Sequence, residues 1–201
     1  MGWGSASAAP FWPKLADPTG PGRLYVISGP SGAGKSSVVR ELRERRPFYF
    51  SVSATTRNAR PGEIHGVHYW FVEPPDFAEL IANRELLEWA EYNGDRYGTL
   101  RTPVLSHLGM GEDVILEIEI QGARQVEDSY PDAVMFFVLP PSLGELRHRL
   151  ERRGDTRPDE IERRLVIAEE EIAEAEELFD FLVVNDDLNR CVEEVISLIV
   201  R

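Results

Sequence analysis

A short apolar run, Leu24-Tyr25-Val26-Ile27-Ser28, leads into Gly29-Pro30-Ser31-Gly32-Ala33-Gly34-Lys35-Ser36, a complete G-x4-G-K-S pattern. Residue types at this spacing have a defined chemistry. Glycines let successive backbone N–H groups turn inward around a phosphate, and a following helix adds the positive end of its dipole. The lysine can bridge β- and γ-phosphates, and the adjacent hydroxyl is placed to ligate Mg²⁺. A Gly-rich turn that merely contains Lys-Ser would need neither an apolar strand before it nor an amphipathic helix after it. Here Val38, Val39 and Leu42 recur at helical spacing behind Ser36, so residues 29–36 are expected to hold a nucleoside triphosphate.

A second group could hold another anion. Arg57 and Arg60 stand three apart in the polar stretch TTRNARPGEIHG, where two guanidinium forks can close on one phosphate. The phenols of Tyr69 and Tyr97 can add neutral O–H donors. On spacing alone, a solvated basic loop remains the alternative. Glu88 lies in the apolar-aromatic run LLEWAEY, and from the residues alone a helix-surface acid stays open for it. His65, His68, His107 and His148 show only a loose His-x-x-His in a loop, and no metal site is assigned to them.

These groups need a scaffold. RLYVIS, FSVSA (Phe50 to Ala54), HYWFV, DVILEIEI, AVMFFVLP and FDFLVVN read as strands, several apolar enough for a parallel sheet covered on both faces. Helices are expected after Ser36, at Pro75 to Ala82, at Pro103 to Leu108, and from Leu188 onward. They are expected also in SLGELRHRLERRG, which stops at Gly154, and in the long run beginning at Pro158. Strands alternating with helices imply a doubly wound α/β core. Residues 1–22 are rich in Gly, Pro, Ala and Ser without period and are expected to be a poorly ordered tail.

The chain as a whole sets limits. At 201 residues it has room for one substantial core. A net charge of −13 argues against a general nucleic-acid coat. It leaves room for small anionic ligands, because clustered cations act locally within a Debye length of about 8–10 Å. No apolar run approaches the roughly 18 residues of a membrane span, and the start lacks the order of a secretory signal. Cys191 is the one cysteine, so no internal disulfide forms, and the expected location is cytoplasmic.

Several further segments, long and in fixed order, resemble guanylate kinases. They are Ser51-Val-Ser53-Ala-Thr-Thr-Arg57-Asn-Ala-Arg60-Pro-Gly-Glu63, Gly66-Val-His-Tyr69, Leu87-Glu88-Trp89-Ala90, Tyr97-Gly98-Thr99, Ile118-Glu119-Ile120-Gln121-Gly122 and Val184-Asn185-Asp186-Asp187-Leu188. The likeness runs from Leu24 to the C-terminus. It implies a P-loop nucleoside-monophosphate kinase fold: a parallel core sheet with helices on both faces, a small mixed GMP-binding insertion and a helical lid. The corresponding boundaries are 23–52, 108–142 and 167–201 for the core, 53–107 for the GMP-binding region and 143–166 for the lid.

The resemblance also assigns roles. ATP would sit on Gly29, Pro30, Ser31, Gly32, Ala33, Gly34, Lys35 and Ser36, with Asn185 near it and Mg²⁺ on Ser36. GMP would sit on Ser53, Arg57, Arg60, Tyr69, Glu88, Tyr97, Thr99 and Glu119. Glu88 would accept the two adjacent guanine donors, N1–H and N2–H₂, while the Ser53 and Thr99 hydroxyls face O6 and N7. Arg149, Arg153 and Arg164 match lid arginines that close over the triphosphate and join Lys35 in catalysis. Arg147, Arg152 and Arg163 are left to pair with acids at helical spacing. Where the family usually has Asp-x-Asp before the Gln-Gly turn, this chain has Glu117 and Glu119, whose extra methylene shifts each carboxylate.

The implied reaction is ATP + GMP giving ADP + GDP, with no nucleic-acid or membrane partner. Two alternatives remain at this stage. An inactive module that binds proteins would be expected to have a degraded phosphate loop. A kinase acting on a ribose phosphate would have no use for a base-reading carboxylate at Glu88.

Overall fold

The computed structural model describes residues 21–92, 94–153 and 157–199. Along the chain, β1 (Leu24–Ser28) is followed by α1 (Lys35–Arg45), β2 (Tyr49–Phe50), β3 (Ala54–Thr55) and β4 (Trp70–Phe71). Next come α2 (Pro74–Ala82), the strands β5 (Leu86–Tyr92) and β6 (Asp95–Leu100), and α3 (Arg101–Gly109). The remainder alternates: β7 (Val114–Glu117), α4 (Ile120–Ser129), β8 (Val134–Leu139), α5 (Leu143–Arg153), α6 (Pro158–Leu178), β9 (Phe181–Val184) and α7 (Leu188–Ile199).

The apolar runs form a five-stranded parallel sheet in the order β2-β7-β1-β8-β9. Alternation within β1 sends its side chains to two cores. Leu24 and Val26 join Leu116, Phe137, Val104 of α3, Val126 of α4 and Ala175 of α6. Tyr25 and Ile27 join Ile115, Phe136, Val38 and Leu42 of α1, and Val192 and Val195 of α7. The strand is buried along its whole length, which the unbroken apolar run requires. The order places β1 between β7 and β8, so the loops after β1 and β7 meet at the carboxyl edge, where open α/β sheets bind ligands.

A second, mixed sheet has the order β4-β3-β6-β5. Its own small core is Ala54, Phe77 and Leu86. The helices α5 and α6 share a further cluster, Leu146, Leu150, Ile161, Leu165 and Ala168. Pro158 opens α6, with Asp159 and Glu160 in its first turn, as the helix dipole favours. Among the described residues no helix is long and apolar enough to cross a membrane.

The structure departs from the sequence reading at several points. FSVSA is not one strand: Phe50 ends β2 in the parallel sheet and Ala54 opens β3 in the mixed one. Only Trp70 and Phe71 of HYWFV pair as a strand. The apolar run DVILEIEI changes structure midway, because β7 stops at Glu117 and Ile120 starts α4. The antiparallel pair β5 and β6 and the helix α4 had no counterpart in the sequence reading. Of the expected tail, residues 1–20 lie outside the described residues, as does the helix stop at Gly154. Gly22 already belongs to the fold: it is buried and its N–H bonds to Leu108 O at 2.8 Å.

Phe137 and Leu182 are register partners on β8 and β9, but Phe137 is 0% exposed and Leu182 38% exposed. Phe137→Ala should therefore lose about 3–5 kcal/mol in urea unfolding, whereas Leu182→Ala should lose less than about 1 kcal/mol. Equal losses would show that the sheet is covered differently at this edge.

Candidate active site

The loop between β1 and α1 is held open by its neighbours. Gly34 adopts φ +99°, and a Cβ there would lie 2.3 Å from Asn185 Nδ2. Asn185 reaches in because its amide donates to Ala33 O at 2.8 Å, bracing the loop from behind. At Gly32, φ +96°, a Cβ would meet Leu146 Cδ1 at 2.9 Å, so α5 can press directly on the loop. No side chain caps α1, which leaves amides at its start for an anion.

Cations gather on this loop, each steadied by a carboxylate or carbonyl. Lys35 Nζ donates to Gly29 O and lies 3.7 Å from Glu119 Oε1. Arg149 donates to Ala33 O at 3.2 Å and to Asn185 O at 2.9 Å, with Glu145 on its Nε at 3.0 Å. Arg164 reaches Ser31 Oγ at 3.3 Å and pairs with Glu160. Thus two of the three expected lid arginines stand on the loop, and the Arg153 side chain lies outside the described residues. The division into functional and merely paired arginines is not clean, since Arg149 and Arg164 also carry i,i+4 partners as Arg163 does. Arg147 pairs across to Glu162 on α6.

The second sheet faces the loop across a cavity of about 490 Å³. Pro30, Ser31, Gly32, Gly34, Lys35, Ser36 and Arg164 line one side. Ser53, Arg57, Arg60, Tyr69, Glu88 and Tyr97 line the other, with Glu117 and Glu119 between them. Gly29 and Ala33 of the loop do not line the cavity, nor do Asn185 and Arg149, which both donate to Ala33 O. Thr99, 1% exposed, stands behind Glu88 instead of on the cavity wall.

Arg57 is already oriented. Its NH1 and NH2 donate to the two oxygens of Glu63 at 2.9 Å each, and NH1 also reaches Asn58 O at 2.7 Å. Three of the five guanidinium donors are thereby engaged. The fork lies 5.3 Å from the Tyr69 ring centroid, and its bond to Glu63 is the main reason the Glu63 carboxyl is held below its usual range. Burial, then the Glu117 carboxylate, pushes the Tyr69 phenol up to about 12, so it remains an O–H donor at neutral pH.

Glu88 is the least ordinary group in the cavity. It sits in β5 opposite Thr99 of β6 and is 4% exposed. Burial pushes its carboxyl up to about 7, and the nearby Thr99 only partly offsets this. The Thr99 hydroxyl itself is buried and finds no hydrogen-bond partner of good geometry among the described residues. Among the described residues no cation pairs with Glu88, and a buried acid without one is a common feature of binding sites.

Two further acids have raised carboxyls: Glu117, noted in the sequence as standing where the family usually has Asp, and Glu171, which was not singled out there. Glu117 at the end of β7 accepts from Ser36 Oγ at 2.6 Å, and burial raises its carboxyl. Glu171 of α6, partly buried, is pushed up to about 7 by burial and by Glu119, and nothing in its acidic run distinguishes it.

A phosphate loop on a parallel sheet, facing a small sheet across one cavity and covered by arginine-bearing helices, is the architecture of a P-loop kinase. Comparison narrows this. The guanylate kinase family model matches residues 21–201. The guanylate kinase of Streptomyces coelicolor is 51% identical over 193 residues, covering 96% of this chain and 98% of that one. That of Thermobifida fusca is 53% identical over 180 residues, with 89% and 91% covered. The crystal structure of guanylate kinase from Anaplasma phagocytophilum superposes with a TM-score of 0.74 at 31% identity, covering 92% of this chain and 87% of that one. The chain belongs to the guanylate kinase family.

The Glu88 carboxyl gives a direct test of the site's electrostatics. The folded protein keeps this proton to about pH 7, while an exposed glutamate loses it near 4.5. The stability that Glu88 contributes is thus complete below about pH 4.5 and is lost as pH rises through 7. A ¹³C NMR titration of the free protein should show the Glu88 carboxyl carbon moving with a midpoint near 7. A midpoint near 4.5 would place it in contact with water.

Proposed function

We propose that this chain transfers a phosphoryl group from ATP to GMP, giving ADP and GDP, with the residues around the cavity in the following roles. The observation that carries the reading is that one cavity joins an intact phosphate loop to a buried acid, Glu88, that pairs with no cation among the described residues. A triphosphate lies along the loop, its phosphates held by the open amides and Lys35. GMP lies on the second sheet, its phosphate on Arg57, Arg60 and the Tyr69 and Tyr97 hydroxyls.

Guanine donates N1–H and N2–H₂ to the two Glu88 oxygens. Two charge-assisted hydrogen bonds then replace the water that burial removed. Ser53 offers its hydroxyl to the base from the cavity wall, while Thr99 supports Glu88 from behind. Adenine offers an acceptor at N1 and nothing at C2, so it leaves the carboxylate unsatisfied. Deoxyguanosine monophosphate carries the same base and phosphate and is accepted too.

In the transfer, a GMP phosphate oxygen forms a bond to the γ-phosphorus as the bond to the β–γ bridging oxygen breaks. No enzyme group is covalently modified. The protein's task is alignment and charge neutralisation. Lys35 follows the migrating group, and Arg149, Arg153 and Arg164 supply further positive charge while α5 and α6 exclude water. Ser36 Oγ and Glu117 Oε1, adjacent hard oxygen donors, fit Mg²⁺ and would hold it. When bound, the ion spreads charge from the β- and γ-phosphate oxygens. Glu119 keeps Lys35 directed toward the cavity.

The reading is tested by ADP release with ATP-Mg²⁺ and each of GMP, dGMP, AMP, CMP and UMP. Turnover with GMP and dGMP alone is expected, and preferred use of another acceptor would refute it. Within that assay, Lys35→Ala should fold normally and lose about two to three decades in kcat, as removal of one preorganised electrostatic group does. A folded variant that keeps more than a third of the rate would show that Lys35 does not follow the phosphoryl group.

A further inference from the structure

Gly122 is the third residue of α4, within its first turn, a position where glycine is less favourable than alanine. Its φ is not positive, so backbone conformation gives no reason for it. The space around it does. A Cβ built on Gly122 would lie 2.1 Å from Glu88 Oε2, 2.9 Å from its Cδ and 3.4 Å from its Cγ. The three nearest atoms all belong to one side chain, and it is the one that reads the base.

Such an overlap is ordinarily relieved by a small movement, and here the backbone is held. Gln125, one turn along the same face of α4, accepts the Trp89 N–H at 3.2 Å and donates to Trp89 O at 2.6 Å. These two bonds tie α4 to β5 at the residue next to Glu88. The helix and strand separate only by losing both. Glu88 is 4% exposed, so its carboxylate has few other places to go except into the cavity where the base must lie. A methyl group at Gly122 would therefore displace the carboxylate.

We propose that Gly122 is a specificity-determining residue: its missing side chain is the space that sets where the Glu88 carboxylate stands, and so how well guanine is told from other bases. The proposal rests on the reading of Glu88 as the guanine-binding group. α4 follows directly from Glu117 and Glu119, which touch Ser36 and Lys35, so one short segment runs from the phosphate site to the base reader.

The experiment is a cycle of Gly122→Ala, Glu88→Ala and the double variant, assayed with GMP, with IMP (which lacks the N2 amine) and with ATP varied separately. Gly122→Ala should raise KM for GMP at least tenfold, shrink the preference for GMP over IMP, and leave KM for ATP within about twofold, with kcat reduced less than KM is raised. In the Glu88→Ala background the same substitution should change kcat/KM by less than twofold. Should Gly122→Ala not fold, the double variant should restore the melting transition, because the clashing side chain is gone. Equal losses in both backgrounds, an unchanged GMP KM, or a double variant that stays unfolded would each overturn the proposal. If Glu88→Ala alone leaves GMP use and the GMP/IMP preference intact, the reading of Glu88 fails, and this proposal with it.

Discussion

Two nucleotides can exchange a phosphoryl group only if two anions are brought together with little water between them, and this chain does so with a net charge of −13. Its solution is local. Lys35, Arg57 and Arg164 line the cavity and Arg149 bonds to its phosphate loop, and each has a carboxylate partner: Glu119, Glu63, Glu145 and Glu160 for Lys35, Arg57, Arg149 and Arg164 in turn. The partners reduce repulsion among the cations and fix their direction before any phosphate arrives. Arg57 shows the consequence most clearly, since the fork onto Glu63 fixes the guanidinium with its Cζ 5.3 Å from the Tyr69 ring centroid. Such pairs add little stability at the surface. In the proposed roles their value is preorganisation.

The same constraint explains the arrangement of the scaffold. A loop that binds phosphate through backbone amides must be rigid, and here it is braced on three sides. β1 is buried at the centre of the sheet, Asn185 bonds Ala33 O from below, and the leucines of α5 rest on Gly32. The second sheet contributes the opposite kind of group, a buried acid, Glu88, with no cation beside it among the described residues. α4 joins the two, beginning beside Glu119 and ending its first turn against Glu88. In the proposed roles, cations meet the phosphates at one end of the cavity and an acid meets the base at the other.

Much of this was legible in the sequence, and for physical reasons. The phosphate loop is local, with all its chemistry in residues 29–36. The apolar runs of β1 and β8 have only one economical use, a strand covered on both faces. What failed depends on contacts between distant segments. Phe50 and Ala54 read as one strand because nothing local shows that the chain passes from one sheet to the other between them. DVILEIEI keeps its apolar character past Glu117 because Ile118 and Ile120 are buried against the same core after the backbone has turned. LLEWAEY lacks clean alternation, with Leu86, Leu87 and Glu88 all buried in succession. Its pairing with the polar DRYGTL had no sequence signal of its own. The environment of Glu88 was likewise invisible from its neighbours. Only the resemblance to a family singled it out, and burial against Thr99 and Gly122 supplied the physics.

The central claim is that a carboxylate, by its charge and its two acceptor oxygens, selects guanine. Glu88→Gln tests it most directly, because shape is kept while one acceptor becomes a donor facing a donor. An unsatisfied buried pair of this kind costs about 1–3 kcal/mol or more, and polar matching can separate partners by as much as about 10⁴–10⁵. The measurement is kcat/KM for GMP and for AMP in both proteins. The account predicts at least a tenfold fall for GMP together with a narrowed GMP/AMP ratio, since the amide can donate to adenine N1. Unchanged selectivity in a folded Glu88→Gln protein would contradict it.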